Sequence, residues 1–132
     1  MLLDGTELRE RLLSELEWAG QENLPTLANT AVGPSFDIGL VTLMQQAMFD
    51  FVRRGVVRFA RERDRDGRLV EMSEAESLAI VADLKTHLQY SDGLGRWTGG
   101  KEPWPDVVTT PTGAREARLV LERRGYQWWK SK

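Results

Sequence analysis

Arginines crowd one short segment of the chain, and their spacing suits the binding of phosphate groups. Residues 51–70 hold seven arginines against three acids, and Arg58, Arg65 and Arg68 flank an Asp-Gly dipeptide at 66–67. An Asp-Gly pair is typical of a tight hairpin turn, and arginines on a hairpin can hold phosphates in bidentate fashion or enter a minor groove. The segment therefore predicts a polyanion-binding hairpin. The alternative is a solvated hairpin, because the three acids neutralise part of its charge.

A predicted helix upstream of this segment carries side chains that can read bases. Thr42, Gln45 and Gln46 lie within the predicted helix 37–54, and hydroxyl and amide groups are among those that hydrogen-bond base edges in the major groove. We therefore expect these three residues to contact nucleic acid together with the hairpin arginines. The helix is otherwise apolar, and adjacent residues on a helix point about 100° apart, so Gln45 and Gln46 face different directions.

A second candidate surface combines tryptophan with basic residues. Trp97 and Trp104 lie in a glycine- and proline-rich segment, 91–106, with Arg96 beside the first ring. Tryptophan and arginine are enriched at the energetic centres of protein interfaces, and tryptophan also stacks on nucleobases. This predicts a partner-binding loop formed by Arg96, Trp97 and Trp104. The alternative is that both rings fold back over a small core.

The composition excludes several kinds of catalytic and metal chemistry. The chain has no cysteine and one histidine, which removes thiolate zinc sites, cysteine nucleophiles, disulfides and any site that needs two histidines. His87 follows Asp83 by four residues, a spacing that places both on one side of a helix. With no nucleophile nearby, this pattern favours a surface pair over a proton relay. The sequence therefore predicts no enzyme, no catalytic residue, no metal and no cofactor.

The charge is small in sum and large in blocks. The net charge is −2, yet residues 1–50 hold eight acids and two bases, and residues 101–132 hold seven bases and four acids. Charges act over about 10 Å at 0.1 M salt, so a local basic block can bind a polyanion although the whole chain is acidic. No apolar stretch is long enough to span a bilayer and no secretory leader is evident. We therefore expect a cytoplasmic protein without membrane contact.

The periodicity of apolar residues predicts a mainly helical α+β domain over 1–132, with a core at about 5–89, a loop at 91–106 and a C-terminal strand and helix at 107–125. Capping boxes, prolines and glycines mark the ends of its elements. The predicted order is helix 5–19, short helix 24–31, helix 37–54, strand 56–60, strand 68–72, helix 73–89, strand 107–110 and helix 111–124. We expect Trp128 and Trp129 to anchor the tail on the body of the domain or on a second subunit.

This order resembles a winged helix-turn-helix module with a small β-hairpin and flanking helices. The stretches 51–58, 64–70 and 72–76 are similar to part of the MarR-type transcriptional regulators, in which a recognition helix is followed by a basic wing. Asp66-Gly67-Arg68 matches the wing, and the likeness covers residues 37–76. The resemblance implies a DNA-binding regulator, and we expect a homodimer formed through the terminal helices.

A second register is similar to PadR-type regulators. Residues 107–116 resemble the start of the terminal helix in that family. This register makes 73–89 the recognition helix and places the wing in the loop that contains Arg96, Trp97 and Lys101. We favour the first register because its hairpin is explicit. A different class of function stays open on the same fold, namely a protein-interaction module that binds or inhibits a partner without contacting DNA.

Overall fold

A computed structural model of the chain describes residues 5–33, 37–62, 69–100, 105–126 and 128–130. It confirms the prediction of a mainly helical α+β fold. The helices are α1 (Gly5–Ala19), α2 (Leu24–Ala31), α3 (Ile38–Arg53), α4 (Glu74–Ala82), α5 (Leu84–His87) and α6 (Pro111–Arg124), with a short 3₁₀ helix at Trp128–Lys130. The strands are β1 (Gln21–Asn23), β2 (Val57–Glu62), β3 (Leu69–Glu71), β4 (Leu88–Ser91), β5 (Arg96–Gly99) and β6 (Asp106–Thr109).

Local hydrogen bonds explain where the long helices begin and end. The carboxylate of Asp37 accepts from the first amides of α3, and Ser73 forms a reciprocal capping box with Glu76 at the start of α4. Such caps satisfy amides that have no partner within a helix. Gly55 and Gly125, which follow α3 and α6, adopt positive φ angles of 72° and 97°, where glycine avoids the steric cost of a Cβ.

The larger sheet joins the two ends of the chain. Its strand order is β1–β6–β2–β3 with antiparallel neighbours, and β6 lies between β1 and β2. Val107 of β6 is opposite Glu22 on one side and Phe59 on the other. The predicted strand at 107–110 is therefore confirmed. It closes the sheet over α1 rather than lying at its edge.

A close approach of two backbones fixes α6 against the start of β2. Gly113 packs so tightly on Val56 that a Cβ at position 113 would lie 2.0 Å from the Val56 carbonyl oxygen. The Thr110 amide donates to the same oxygen at 3.0 Å, and the Thr110 hydroxyl donates to the Gly55 carbonyl and accepts from the Gly113 amide at 3.1 Å. One threonine thus caps α6 and ties it to the sheet, which explains why this helix begins where it does.

The predicted single helix over 73–89 is wrong. α4 ends at Ala82, α5 covers only Leu84–His87, and the chain then forms β4, which pairs with β5 inside the segment predicted as a loop. Leu84 and Leu88 are buried in the observed structure, so their spacing imitated a continuing helix although the backbone leaves it. The Asn29 side chain fixes the hairpin by accepting from the Trp97 amide at 2.8 Å and donating to the Trp97 carbonyl at 2.9 Å.

One hydrophobic core connects these elements. Its largest fully buried side chains include Phe51 of α3, Phe59 of β2 and leucines of α1 and α2. The stretch from β3 through β5 is inserted between β2 and β6, and it adds Met72, Val81 and Trp97 to the same core. The insertion is therefore an integral part of the fold.

The tail is anchored on the body of the domain, as expected from Trp128 and Trp129. The Trp128 indole donates to the Ser14 hydroxyl at 2.9 Å, and the Trp129 indole donates to the Glu15 carboxylate at 3.2 Å. The Arg124 guanidinium lies 4.2 Å from the centre of the Trp128 ring. Both indoles are therefore held by α1 of the same chain.

Candidate nucleic-acid interface

α3 buries one side and leaves a narrow band of residues uncovered. Val41, Met44 and Met48 are among its buried residues. Thr42, Gln46, Phe49 and Arg53 follow each other at helical spacing on the other side, where Thr42 is half-buried and the other three are exposed. We call these four residues the α3 stripe. Phe49 is 41% exposed, and the Arg53 guanidinium lies 5.6 Å from the centre of its ring. The stripe therefore presents amide, hydroxyl, aromatic and guanidinium groups along one line.

Gln45, predicted as a base contact, has a structural role. Its Nε2 donates to the Val81 carbonyl at 2.9 Å and to the Ala82 carbonyl at 3.2 Å. These carbonyls lie at the end of α4, where a helix leaves its acceptors without internal partners. Both amide protons of Gln45 are therefore used in joining α3 to α4. Thr42 also bonds internally, through its hydroxyl to the Ile38 carbonyl at 3.0 Å, and its oxygen keeps acceptor capacity.

An open groove separates the α3 stripe from the end of α4. It encloses about 390 Å³ and is lined by Thr42, Gln45, Gln46, Phe49, Val81 and Ala82. The lining is mostly apolar, and its polar groups come from α3. Any ligand of the stripe therefore meets the C-terminal end of α4 along one edge.

Acids at the start of α4 hold two arginines of β2. Arg58 donates through Nη1 to the Val52 and Val57 carbonyls, both at 2.9 Å, and its Nη2 lies 3.9 Å from Glu74. Arg61 lies 3.5 Å from Glu76. The pKa of the Glu76 carboxyl is lowered, chiefly because it accepts a hydrogen bond from the Ser73 backbone amide. We call Glu74 and Glu76 the α4 acid pair. Arg58, predicted as a nucleic-acid contact, thus donates to backbone carbonyls and has a carboxylate of this pair nearby.

A second ionic cluster lies at the C-terminal end of α3. Asp50 accepts from Arg9 at 2.6 Å and from Arg54 at 2.9 Å, and Arg54 also contacts Glu116 at 3.2 Å. Burial pushes the pKa of the Asp50 carboxyl upward, but hydrogen bonds from the two arginines outweigh it and hold the pKa below its ordinary value. Arg54 therefore has a structural role, because both of its ion pairs are made within the chain. Arg53 packs on the Phe49 ring and forms no ion pair with any residue that the structure describes.

Of the three residues in the predicted partner-binding loop, one is exposed, one is buried and one lies outside the described residues. Arg96 is exposed on β5, whereas Trp97 is 4% exposed and packs edge-on against Tyr90 at 5.3 Å. Successive residues of a strand point to opposite faces, which explains the contrast. Trp97 therefore belongs to the core, the alternative that the sequence left open. Trp104 lies outside the described residues, as do Arg65, Arg68 and the Asp-Gly turn between them.

The predicted surface pair of Asp83 and His87 is wrong. His87 is buried, and Asp83 instead accepts a hydrogen bond from the Thr86 hydroxyl at 2.9 Å. Because α4 ends at Ala82, Asp83 and His87 do not lie on one face of a continuous helix. Within the part of the chain that the structure describes, no group of three or more metal-binding side chains comes together. No helix among those residues is long and apolar enough to cross a membrane.

No protein-family model matches the sequence, and no curated protein or solved structure is significantly similar to it. Function has therefore to be inferred from the geometry of the chain itself.

Sequence reasoning missed two members of the α3 stripe. Phe49 and Arg53 are absent from the predicted contacts, although they follow Gln46 by three and seven residues, a spacing that places all three on one side of the helix. It also missed the α4 acid pair. The capping box that positions Glu76 is readable from the sequence, but its ion pair with Arg61 depends on the packing of α4 beside β2.

Proposed function

We propose that this protein is a winged-helix DNA-binding regulator that uses the α3 stripe as its reading surface. The observation that carries the proposal is the line of Thr42, Gln46, Phe49 and Arg53 along the side of α3 that faces away from its buried residues, with the last three exposed and Thr42 half-buried. Support comes from the order α1, β1, α2, α3 and β2 along the chain. After the inserted stretch from β3 to β5, strand β6 returns and lies between β1 and β2 in the sheet. This is the arrangement expected of a winged-helix module of the MarR or PadR kind. The proposal includes a homodimer and a cytoplasmic location.

Each side chain of the stripe has a partner on duplex DNA. The Gln46 amide suits the paired acceptor and donor of adenine, and the Thr42 oxygen can accept from an exposed amino group. The Phe49 ring suits a thymine methyl group, and Arg53 suits guanine or a phosphate. We therefore expect the stripe to contact a few base pairs and to prefer A·T pairs opposite Gln46 and Phe49.

The acidic block at the N-terminal end of the chain opposes DNA less than its composition suggests. Glu17 pairs with Arg118 at 3.1 Å, and Glu10 pairs with Arg123 and Arg124. These ion pairs join acids of the block 1–50 to arginines of the block 101–132. The arginines of α6 therefore reduce the repulsion between α1 and DNA phosphates.

Fluorescence anisotropy with labelled duplexes of mixed sequence tests the proposal. We expect binding at about 50 mM salt that weakens as salt rises, and a loss of about tenfold for Arg53→Ala. Arg118→Ala is the matched control, because Arg118 is an exposed arginine on α6 outside the stripe, and its exposed ion pair with Glu17 contributes little to stability. Absence of binding to any duplex at about 50 mM salt, where phosphate contacts are strongest, would falsify the proposal.

A protein-interaction module is the second candidate, and exposed apolar side chains favour it. Ile38 and Phe49 of α3 are 48% and 41% exposed, and Phe49 borders the groove beside α4. A partner helix or loop could bury both. Phe49→Ala separates the candidates: it abolishes a protein contact, whereas DNA binding loses only one methyl contact and keeps its salt dependence. A pull-down that recovers a stoichiometric partner only with Phe49 present would favour this second candidate.

A further inference from the structure

α6 carries a second uncovered line of residues, on the side away from the core. Arg115, Leu119 and Glu122 follow each other at spacings of four and three residues, and we call them the α6 stripe. All three are exposed, with Leu119 at 65%. Side chains at this spacing lie along one side of a helix. A large apolar side chain therefore stands between two opposite charges on a free helical face.

The other charged residues of α6 are used inside the chain. Arg118 pairs with Glu17, Arg123 and Arg124 pair with Glu10, and Glu116 pairs with Arg54. Arg115 and Glu122 form no ion pair with any residue of the ranges that the structure describes. Arg115 makes one long hydrogen bond, 3.4 Å, to the Thr112 hydroxyl of its own helix. The two charges that flank Leu119 are therefore available to a partner.

The α6 stripe is complementary to itself. Arg115 and Glu122 are seven residues apart, which is about 10 Å along a helix, with Leu119 close to their midpoint. When two copies of this stripe cross in antiparallel fashion about a two-fold axis, Arg115 of each copy faces Glu122 of the other, and the Leu119 side chains meet near the axis. A two-fold interface uses the same patch on both subunits and requires this reciprocity. A parallel arrangement would instead set like charges against each other.

We propose that the α6 stripe is the dimer interface of this protein and that its occupant is α6 of a second copy in antiparallel orientation. The inference rests on the homodimer included in the proposed function, and it is independent of DNA binding. One helix from each copy gives an interface at the small end of stable protein contacts, so we expect a dissociation constant of about micromolar order. Opposite charges at both ends of the stripe fix the orientation.

Sedimentation velocity of the full chain over about 1–200 µM tests the interface, a range chosen for a small contact. We expect the wild type to pass from monomer to dimer. Arg115→Glu and Glu122→Arg should each raise the dissociation constant at least tenfold, about 1.4 kcal/mol, because each creates two like-charge contacts across the axis. The double variant Arg115→Glu with Glu122→Arg exchanges the charges and should restore the dimer. Lys85→Glu is the control, since Lys85 is exposed on α5, away from this helix.

Circular dichroism of each variant separates a lost interface from a lost fold. The proposal is overturned if the wild type stays monomeric at the highest concentration, if the folded double variant stays monomeric while the wild type dimerises, or if Lys85→Glu is as damaging as Arg115→Glu. Anisotropy at about 50 mM salt on the monomeric variants then reports on DNA separately. Dimerisation without DNA binding would retain this interface and reject the reading surface on α3.

Discussion

The side-chain amide of Gln45 donates a hydrogen bond to the main-chain carbonyl of Val81, at 2.9 Å, and so closes the end of α4 onto the middle of α3. Two neighbouring glutamines of α3 therefore have opposite roles. Gln45 holds the fold, and Gln46 remains on the uncovered stripe. The distinction gives a direct test of which residue reads a ligand.

Substituting each glutamine by alanine should separate stability from binding. Gln45→Ala leaves helix-end carbonyls without their donor and should lower the free energy of unfolding by about 1 kcal/mol, with DNA affinity changed less than about twofold. Gln46→Ala should leave stability unchanged and reduce affinity about fivefold to tenfold. Urea unfolding and anisotropy measure the two effects. A larger loss of affinity in the first variant than in the second would count against the α3 stripe.

Neutralising the α4 acid pair should strengthen DNA binding. In the variant Glu74→Gln with Glu76→Gln, Arg58 and Arg61 lose the nearby negative charges, so the positive potential that a phosphate meets at both guanidinium groups rises. Glutamine at position 76 keeps the capping box. We expect about threefold tighter binding and a salt dependence steeper by about one counterion. Stability should change by less than about 1 kcal/mol, since exposed ion pairs contribute little.

Glu71→Gln is the matched control for that variant. Glu71 is an exposed acid on the neighbouring strand β3, and it forms no ion pair with another residue of the described ranges. Its neutralisation removes charge without freeing an arginine. Equal tightening in the control would show that net charge alone sets the affinity and that the α4 acid pair has no specific role.

Gly113 should tolerate no side chain. A Cβ at this position would lie 2.0 Å from the Val56 carbonyl oxygen, so α6 would have to move away from β2. We expect Gly113→Ala to lower the free energy of unfolding by about 3 kcal/mol or more. Gly93→Ala is the control, because a Cβ there meets nothing within 4 Å. Equal melting temperatures for the two variants would contradict the close approach of α6 to β2.

Acid should weaken the fold through Glu10 and Asp50. Burial raises the pKa of each carboxyl, but hydrogen bonds from Arg123 and Arg124 to Glu10, and from Arg9 and Arg54 to Asp50, bring both pKa values below the ordinary ones. A carboxyl with a lowered pKa stabilises the folded state above the pKa of the unfolded chain, and this contribution is lost as the pH falls through the folded value.

Urea unfolding between about pH 7 and pH 3 should therefore show a decline that begins near the unfolded carboxyl pKa of about 4. Glu10→Gln and Asp50→Asn should each be less stable at neutral pH and should show a shallower decline. Asp92→Asn serves as a control, since Asp92 is exposed between β4 and β5 and forms no ion pair with any residue of the described ranges. If the free energy of unfolding depends on pH in both variants as it does in the wild type, Glu10 and Asp50 do not contribute to acid unfolding.

Much of the local structure is readable from short segments. Asp37, Ser73 and Thr110 indicate where α3, α4 and α6 begin, and Gly125 indicates where α6 ends. These positions can be predicted because a helix cap involves residues within one turn of each other. The break at Asp83 was not readable, since Leu84 and Leu88 are buried whether the backbone is helical or extended. Apolar spacing reports which side chains are inside and not which backbone places them there.

The sequence by itself determined helices α1, α2, α3 and α6, the start of α4, the mainly helical α+β class and the absence of cysteine chemistry, because these depend on composition and on contacts between near neighbours. Only the tertiary structure decided that β6 lies between β1 and β2, that Gln45 is structural, and that acids of α4 hold Arg58 and Arg61. Those relationships join residues far apart along the chain. Their energies depend on packing between elements, which no local pattern of residues specifies.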